Sequence, residues 1–263
     1  MVSLIISFYK NIPALDLILK SLGRQSCKDF EVIIAEDADN KETKVFLDEQ
    51  RLKYFFHIEH VWHEDVAFRK TKINNDAVKV SKSEKLVFID GDCVLHSKFI
   101  ETYNTCIEEG KYFYGRRVML GPKITDKLYA SRNLKYFNLP RLLLSDSKEK
   151  QEALYIPFRR SRTNDSREIW GCNWGVLKKY LVGVNGFDED YTKPCFGEDL
   201  DVGWRLKAQF GLKLTSLKNR AIQYHLHHPM NWNDLIEAQG RIIFDKKRMA
   251  GNAVCSNGIK KLP

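Results

Sequence analysis

Leu86-Val87-Phe88-Ile89-Asp90-Gly91-Asp92-Cys93 is the stretch whose reading decides the fold. An apolar run stops at two carboxylates separated by one glycine. The run has the length and composition of a strand buried on both faces. Acidic residues just past the carboxyl end of such a strand lie where open α/β sheets take their ligands. Alternate residues of an extended chain point the same way, so Asp90 and Asp92 can converge on one cation. Hard divalent ions choose oxygen donors, and they commonly accompany a diphosphate.

Working outward, the same pattern recurs. Val2–Ser7 reads as a first buried strand, and Phe30–Ala35 as a second that ends in Glu36-Asp37-Ala38-Asp39. Leu15, Ile18, Leu19 and Leu22 have helical spacing between them. Helices are expected over 41–50 and 68–81, and a third strand over 55–62. Strands alternating with helices predict an α/β fold with a mainly parallel, doubly wound sheet flanked by helices. The chain lacks G-x-G-x-x-G after the first strand and lacks G-K-[ST], which disfavours a dinucleotide site and a P-loop. Further on, Glu198-Asp199 opens a helix over 200–210, a strand over 212–224 ends at His225, and 232–249 reads as a basic helical tail.

The 263 residues carry 43% hydrophobic and 12% aromatic side chains, enough for one large folded domain. The net charge of +9 is uneven, because 111–169 holds 14 Lys/Arg against 6 Asp/Glu. That segment is expected to be a basic insertion over one sheet edge. It divides a single domain into a first half (1–110), a downstream half (170–230) and the tail (231–263). A basic patch favours an anionic partner, such as a phosphorylated glycan, an acidic lipid surface or nucleic acid. The six cysteines are scattered without a C-x-x-C pair and read as reduced thiols. With no signal-type segment and no run of about 20 apolar residues, a cytoplasmic location is expected, peripheral to the membrane at most.

Several motifs in this order resemble the GT-A fold glycosyltransferases of family 2. They are Val2–Asn11, Val32–Asp37, Phe68-Arg69 with Asn74-Asn75, and Asp90-Gly91-Asp92. Downstream come Trp170-Gly-Cys-Asn173-Trp174, Gly186-Phe187-Asp188-Glu189 and Gly197-Glu198-Asp199 with Asp201 and Arg205. The downstream half is most similar to the chondroitin-polymerase and galactosyltransferase-like branch. The resemblance implies an inverting enzyme that uses Mn2+ or Mg2+ and a nucleotide-sugar donor, most simply a UDP-sugar. It implies a glycan or lipid-linked glycan acceptor, as in polysaccharide or lipopolysaccharide synthesis.

By that resemblance Asp92 and His225 hold the metal, with Asp90 assisting or reaching the ribose, and His227 is the alternative to His225. Ser7, Phe8, Tyr9, Asp37 and Arg69 bind the nucleotide, with Glu36 able to exchange roles with Asp37. Asp199 is the base and Glu198 its neighbour in the catalytic pair. Trp170, Asn173, Trp174 and Asp188 face the acceptor, since indole faces stack on sugar rings. Asp201 and Arg205, at i,i+4 spacing, make a surface pair. Two other classes compete: a nucleic-acid binder using the basic segment, which would leave the acidic motifs unexplained, and a non-catalytic glycan- or nucleotide-binding module. No nucleic acid is expected.

Overall fold

The computed structural model describes residues 1–163, 169, 171–194, 197–229 and 234–262. The first half alternates as expected: β1 (Val2–Phe8), α1 (Ile12–Gly23), β2 (Phe30–Glu36), α2 (Lys41–Arg51), β3 (Ile58–Trp62), α3 (Lys70–Val80) and β4 (Lys85–Asp90). Then follow β5 (Cys93–Leu95), α4 (Phe99–Cys106), β6 (Lys111–Tyr114), β7 (Arg116–Met119), α5 (Pro122–Ser131), α6 (Leu139–Leu143) and β8 (Arg162–Thr163). The chain closes with β9 (Asn173–Leu177), α7 (Lys178–Gly183), α8 (Glu198–Phe210), β10 (Lys213–Ser216), β11 (Ile222–His225) and α9 (Asp234–Ala250).

Among the described residues an eight-stranded sheet runs β3-β2-β1-β4-β9-β6-β10-β8, and a three-stranded sheet runs β5-β11-β7. β1 to β4 are mutually parallel. β9 is antiparallel to both of its neighbours, β4 and β6, so β6 and the parallel β10 point the same way as β4. The carboxyl ends of β1, β4, β6 and β10 therefore lie along one edge, where α/β sheets bind ligands. β1 and β2 are buried on both faces, which explains their continuous apolar sequences. Alternation sends Leu4, Ile6 and Phe8 into one core layer with α1, and Ile5, Ile33 and Ala35 into the other with α3 and α8.

Three expectations need correction. The segment 111–169 is not an insertion from its first residue: β6 lies inside the main sheet and β7 completes the small one. β7 was hard to see because Val118 is its only buried residue. The single strand expected over 212–224 is two. Asn219 turns the chain with φ of 63°, a left-handed conformation that asparagine tolerates, and its Nδ2 donates to the Leu154 carbonyl at 2.7 Å. That break moves β11, and His225 with it, into the small sheet. Finally, Asp201 and Arg205 are not a surface pair. Both are 1% exposed, and Arg205 Nε donates to Asp201 at 2.7 Å.

Candidate active site

A cavity of about 970 Å3 opens at the carboxyl ends of β1 and β4. Its lining includes Ser7, Phe8, Tyr9, Asp37, Lys70, Asp90, Asp92, Arg117, His225 and His228. The register places Ser7 beside Asp90. The intervening Gly91 has a packing reason: a Cβ there would sit 2.9 Å from the Ser7 carbonyl oxygen. The acidic turn can thus close onto β1 only without a side chain at that position.

The small sheet brings His225 to Asp92. β5 and β11 pair antiparallel with His225 opposite Cys93, and the Leu226 N–H donates to the Asp92 carbonyl at 2.9 Å. Asp92 Oδ2 then lies 3.3 Å from His225 Nε2 and 3.1 Å from His228 Nε2. Ligand-capable atoms of the three residues all fall within 4.8 Å of one another. His228, not His227, joins the cluster. Strand alternation favours the i+2 neighbour, but the chain leaves the strand after His225 and the i+3 residue folds back. His227 is exposed and only its backbone N–H is engaged, to Thr125 Oγ1.

Burial alone would raise the Asp92 carboxyl, but the hydrogen bond with His228 and the charge of His225 hold it below the usual range. The same hydrogen bond lifts His228 to about 9, whereas burial lowers His225. One anionic oxygen and two imidazoles form a donor set able to hold a divalent metal ion.

Lys70 was not singled out from sequence, yet it connects the two halves of the site. Its Nζ lies 2.9 Å from Asp90 Oδ1 and 3.7 Å from Glu198 Oε1. Burial works against its charge, but Asp90, Glu198 and Asp199 outweigh this and raise its pKa. The available signal was a lysine in the first turn of α3, where the helix dipole disfavours a cation. Arg117 of β7 also reaches the cavity, and its Nη1 donates to Cys172 Sγ at 3.1 Å.

Asp199 stands in the first turn of α8. Its Oδ2 accepts from the Gly171 N–H at 2.7 Å and its Oδ1 from its neighbour Leu200 N–H at 2.8 Å. Burial, and then the charge of Glu198, push its carboxyl up to about 7 against the pull of Gly171, Lys70 and Leu200. A carboxylate with that value is poised to exchange protons near neutral pH.

The nucleotide-side residues are placed unequally. Tyr9 is exposed and Phe8 buried, both on the cavity wall. Ser7 Oγ donates to Asn74 Oδ1 at 2.9 Å. Asp37 accepts from His63 Nε2 at 2.6 Å and from the Arg69 N–H at 2.8 Å, which leaves lone pairs toward the cavity. Glu36 is fully buried and held by Thr43 and His60 at 2.7 and 2.8 Å, so it cannot exchange roles with Asp37. The guanidinium of Arg69 turns away to the Glu64 carbonyl, and the wall carries Lys70 and Arg117 instead.

The acceptor-side expectations change most. Trp170 lies outside the described residues. Trp174 has 0% exposure and stacks on Phe88 with ring centroids 4.6 Å apart, so it is core and leaves no face for a sugar. Asn173 is consumed internally: its Oδ1 accepts from Tyr103 at 2.7 Å, and its Nδ2 donates to the carbonyls of Ala221 at 3.1 Å and Arg116 at 3.3 Å. Asp188 is 1% exposed and paired with Lys247 of α9. Asn75 clamps the 186–189 turn, accepting from Phe187 N–H and donating to its carbonyl, both at 2.8 Å. Trp174→Ala should therefore cost about 3–5 kcal/mol of stability in urea unfolding. An unchanged midpoint with weakened acceptor binding would return Trp174 to the acceptor pocket.

Residues 3–181 match the model of glycosyl transferase family 2. That is more than half of the chain, which therefore belongs to this family. No curated protein sequence matches it. Among solved structures, S. aureus TarS superposes with a TM-score of 0.61 at 14% identity, over 95% of this chain and 43% of that one. Mannosyltransferase PcManGT from Pyrobaculum calidifontis, solved with GDP-Man and Mn2+, gives 0.61 at 14% identity, over 95% and 64%. GalNAc-T7, solved with UDP, GalNAc and Mn2+, gives 0.64 at 11% identity, over 94% and 47%. At these identities the likeness concerns the fold, which is GT-A. The chain spans less than two thirds of the length of each of these three proteins.

Proposed function

We propose that this chain transfers a sugar, with inversion, from a nucleoside-diphosphate donor, most simply a UDP-sugar, to a hydroxyl of a glycan acceptor. It would act on cell-surface polysaccharide or lipopolysaccharide at the cytosolic membrane face. Among the described residues no helix is long and apolar enough to cross a membrane. The nearest branch would be the chondroitin-polymerase and galactosyltransferase-like one. The observation that carries this reading is the Asp92–His225–His228 donor set in the same cavity wall as Lys70, which reaches from Asp90 to Glu198.

A divalent ion, Mn2+ or Mg2+, would be held by Asp92, His225 and His228, with Asp90 beside it. When bound, it would act as a Lewis acid on the departing diphosphate. The remaining work falls to side chains. Tyr9 and Phe8 offer a surface to the base, and Asp37 retains accepting capacity for an imide N–H. Lys70 and Arg117 bring fixed positive charge to the phosphates, where charge develops as the bond breaks. Asp199 takes the proton of the attacking hydroxyl, because a neutral hydroxyl is a poor nucleophile. Glu198 keeps that carboxyl basic through its own charge. In-line attack opposite the leaving group inverts the anomeric centre.

The mixture of UDP and GDP donors among proteins of this fold makes a donor screen the appropriate test. UDP-sugars with Mn2+ should raise the melting temperature and be slowly hydrolysed, and chelation should abolish both effects. If neither UDP- nor GDP-sugars did so, the proposal would fail.

A further inference from the structure

A second cavity lies on the same sheet edge as the donor pocket, among Arg116, Arg159, Arg160, Arg162 and Lys218, with a volume of about 250 Å3. The fold builds it deliberately. Tyr114 and Ser216 end the parallel strands β6 and β10, and they sit opposite each other in register. β8 adds Arg162 directly across from Ser216. Along β7, Arg116 and Arg117 point to opposite sides: Arg117 lines the donor cavity and Arg116 lines this one.

Among the described residues one carboxylate accompanies these five cationic side chains. Glu152, 1% exposed, lies 3.5 Å from Arg116 Nε and 3.0 Å from Lys218 Nζ, so it fixes the floor of the cleft. Arg159 is held by Asn219 Oδ1 at 2.7 Å. Arg160 and Arg162 are exposed at the rim. Arg159, Arg160 and Arg162 bring three guanidinium groups to the cleft beside Lys218, and guanidinium forks match the geometry of phosphate oxygens.

Position gives the cleft its meaning. Strand spacing puts the end of β10 roughly 14 Å from the end of β4. Between them runs β9, which is antiparallel and so begins at this edge with Asn173. Just before it stands Gly171, bonded to Asp199. The candidate base therefore sits between donor pocket and arginine cleft. We infer that the cleft binds a phosphate group, as a monoester or phosphodiester, on the acceptor whose hydroxyl is presented to Asp199. The acceptor assignment rests on the proposed function, whereas the anion site stands on its own geometry.

The test uses Arg160→Gln/Arg162→Gln, both at exposed positions, with circular dichroism confirming the fold. Binding of short-chain inorganic polyphosphate is measured by calorimetry at low salt with a chelator present. Wild type should bind it, the double variant at least tenfold more weakly, and Lys70→Met, altered in the donor pocket, as well as wild type. Sedimentation with phosphatidylglycerol vesicles separates two sources of phosphate. Loss of both polyphosphate and vesicle binding in the double variant assigns a lipid-linked phosphate, and loss of polyphosphate binding alone assigns a soluble phosphodiester chain. Equal polyphosphate affinity in wild type and double variant, no binding by wild type, or loss confined to Lys70→Met would overturn the inference. UDP with Mn2+ is titrated in parallel. Absence of that response alone would count against the proposed function and leave the anion site standing.

Discussion

Replacing Asp92 by alanine is expected to lower metal-dependent donor turnover on the order of a thousandfold, the equivalent of several kcal/mol of transition-state stabilisation. Asp92 supplies the one carboxylate of the three-residue donor set. Without it two neutral imidazoles remain, a poor match for a hard ion. The fold should survive, because the Asp92 side chain is 22% exposed and its tie to β11 runs through its backbone carbonyl. Turnover would be followed as UDP release with manganese in excess, with unfolding measured alongside. Near-wild-type release from a folded variant would remove Asp92 from the site.

Asp199→Asn should leave UDP affinity unchanged and slow transfer by about 10²–10⁴, the usual contribution of a positioned base. The amide offers a single accepting oxygen to the N–H groups of Gly171 and Leu200, so a loss of about 1 kcal/mol in stability is also expected. The pH dependence sharpens this. The base must be ionised, so transfer in the native protein should rise with pH through about 7. Glu198→Gln removes the neighbouring charge that raises Asp199, and should move that limb to lower pH. The stability effect has the opposite sense. A carboxyl raised in the folded state favours the fold at low pH, and this contribution is lost as pH rises through about 7. A pH profile identical in all three proteins would exclude Asp199 as the base.

The alternating first half was legible because β1, β2 and β4 are buried on both faces and their sequences leave little else possible. The basic character of 111–169 hid β6 and β7, since charge counts do not register strands of four residues, and β7 has one buried residue. Within the site, sequence pointed to Asp90, Asp92, His225, Glu198 and Asp199 as separate motifs. A lysine in the first turn of α3 was the one sign of Lys70, and its role as the bridge stayed hidden because that contact joins α3, β4 and α8. Among the acceptor residues, Asn173, Trp174 and Asp188 failed for a common reason. Polarity and aromaticity say what a side chain can do, not which way it faces. Trp174 alternates into the core, and Asp188 is neutralised by Lys247, which follows it by 59 residues. His228 needed knowledge of where β11 stops.

The most direct measurement is anomalous diffraction at the manganese edge from crystals grown with UDP and Mn2+. The account predicts one strong peak in coordination contact with Asp92, His225 and His228, shared with the diphosphate of a nucleotide lying across the ends of β1 and β4. A nucleotide bound elsewhere, or those three side chains still paired with one another and no peak between them, would contradict it.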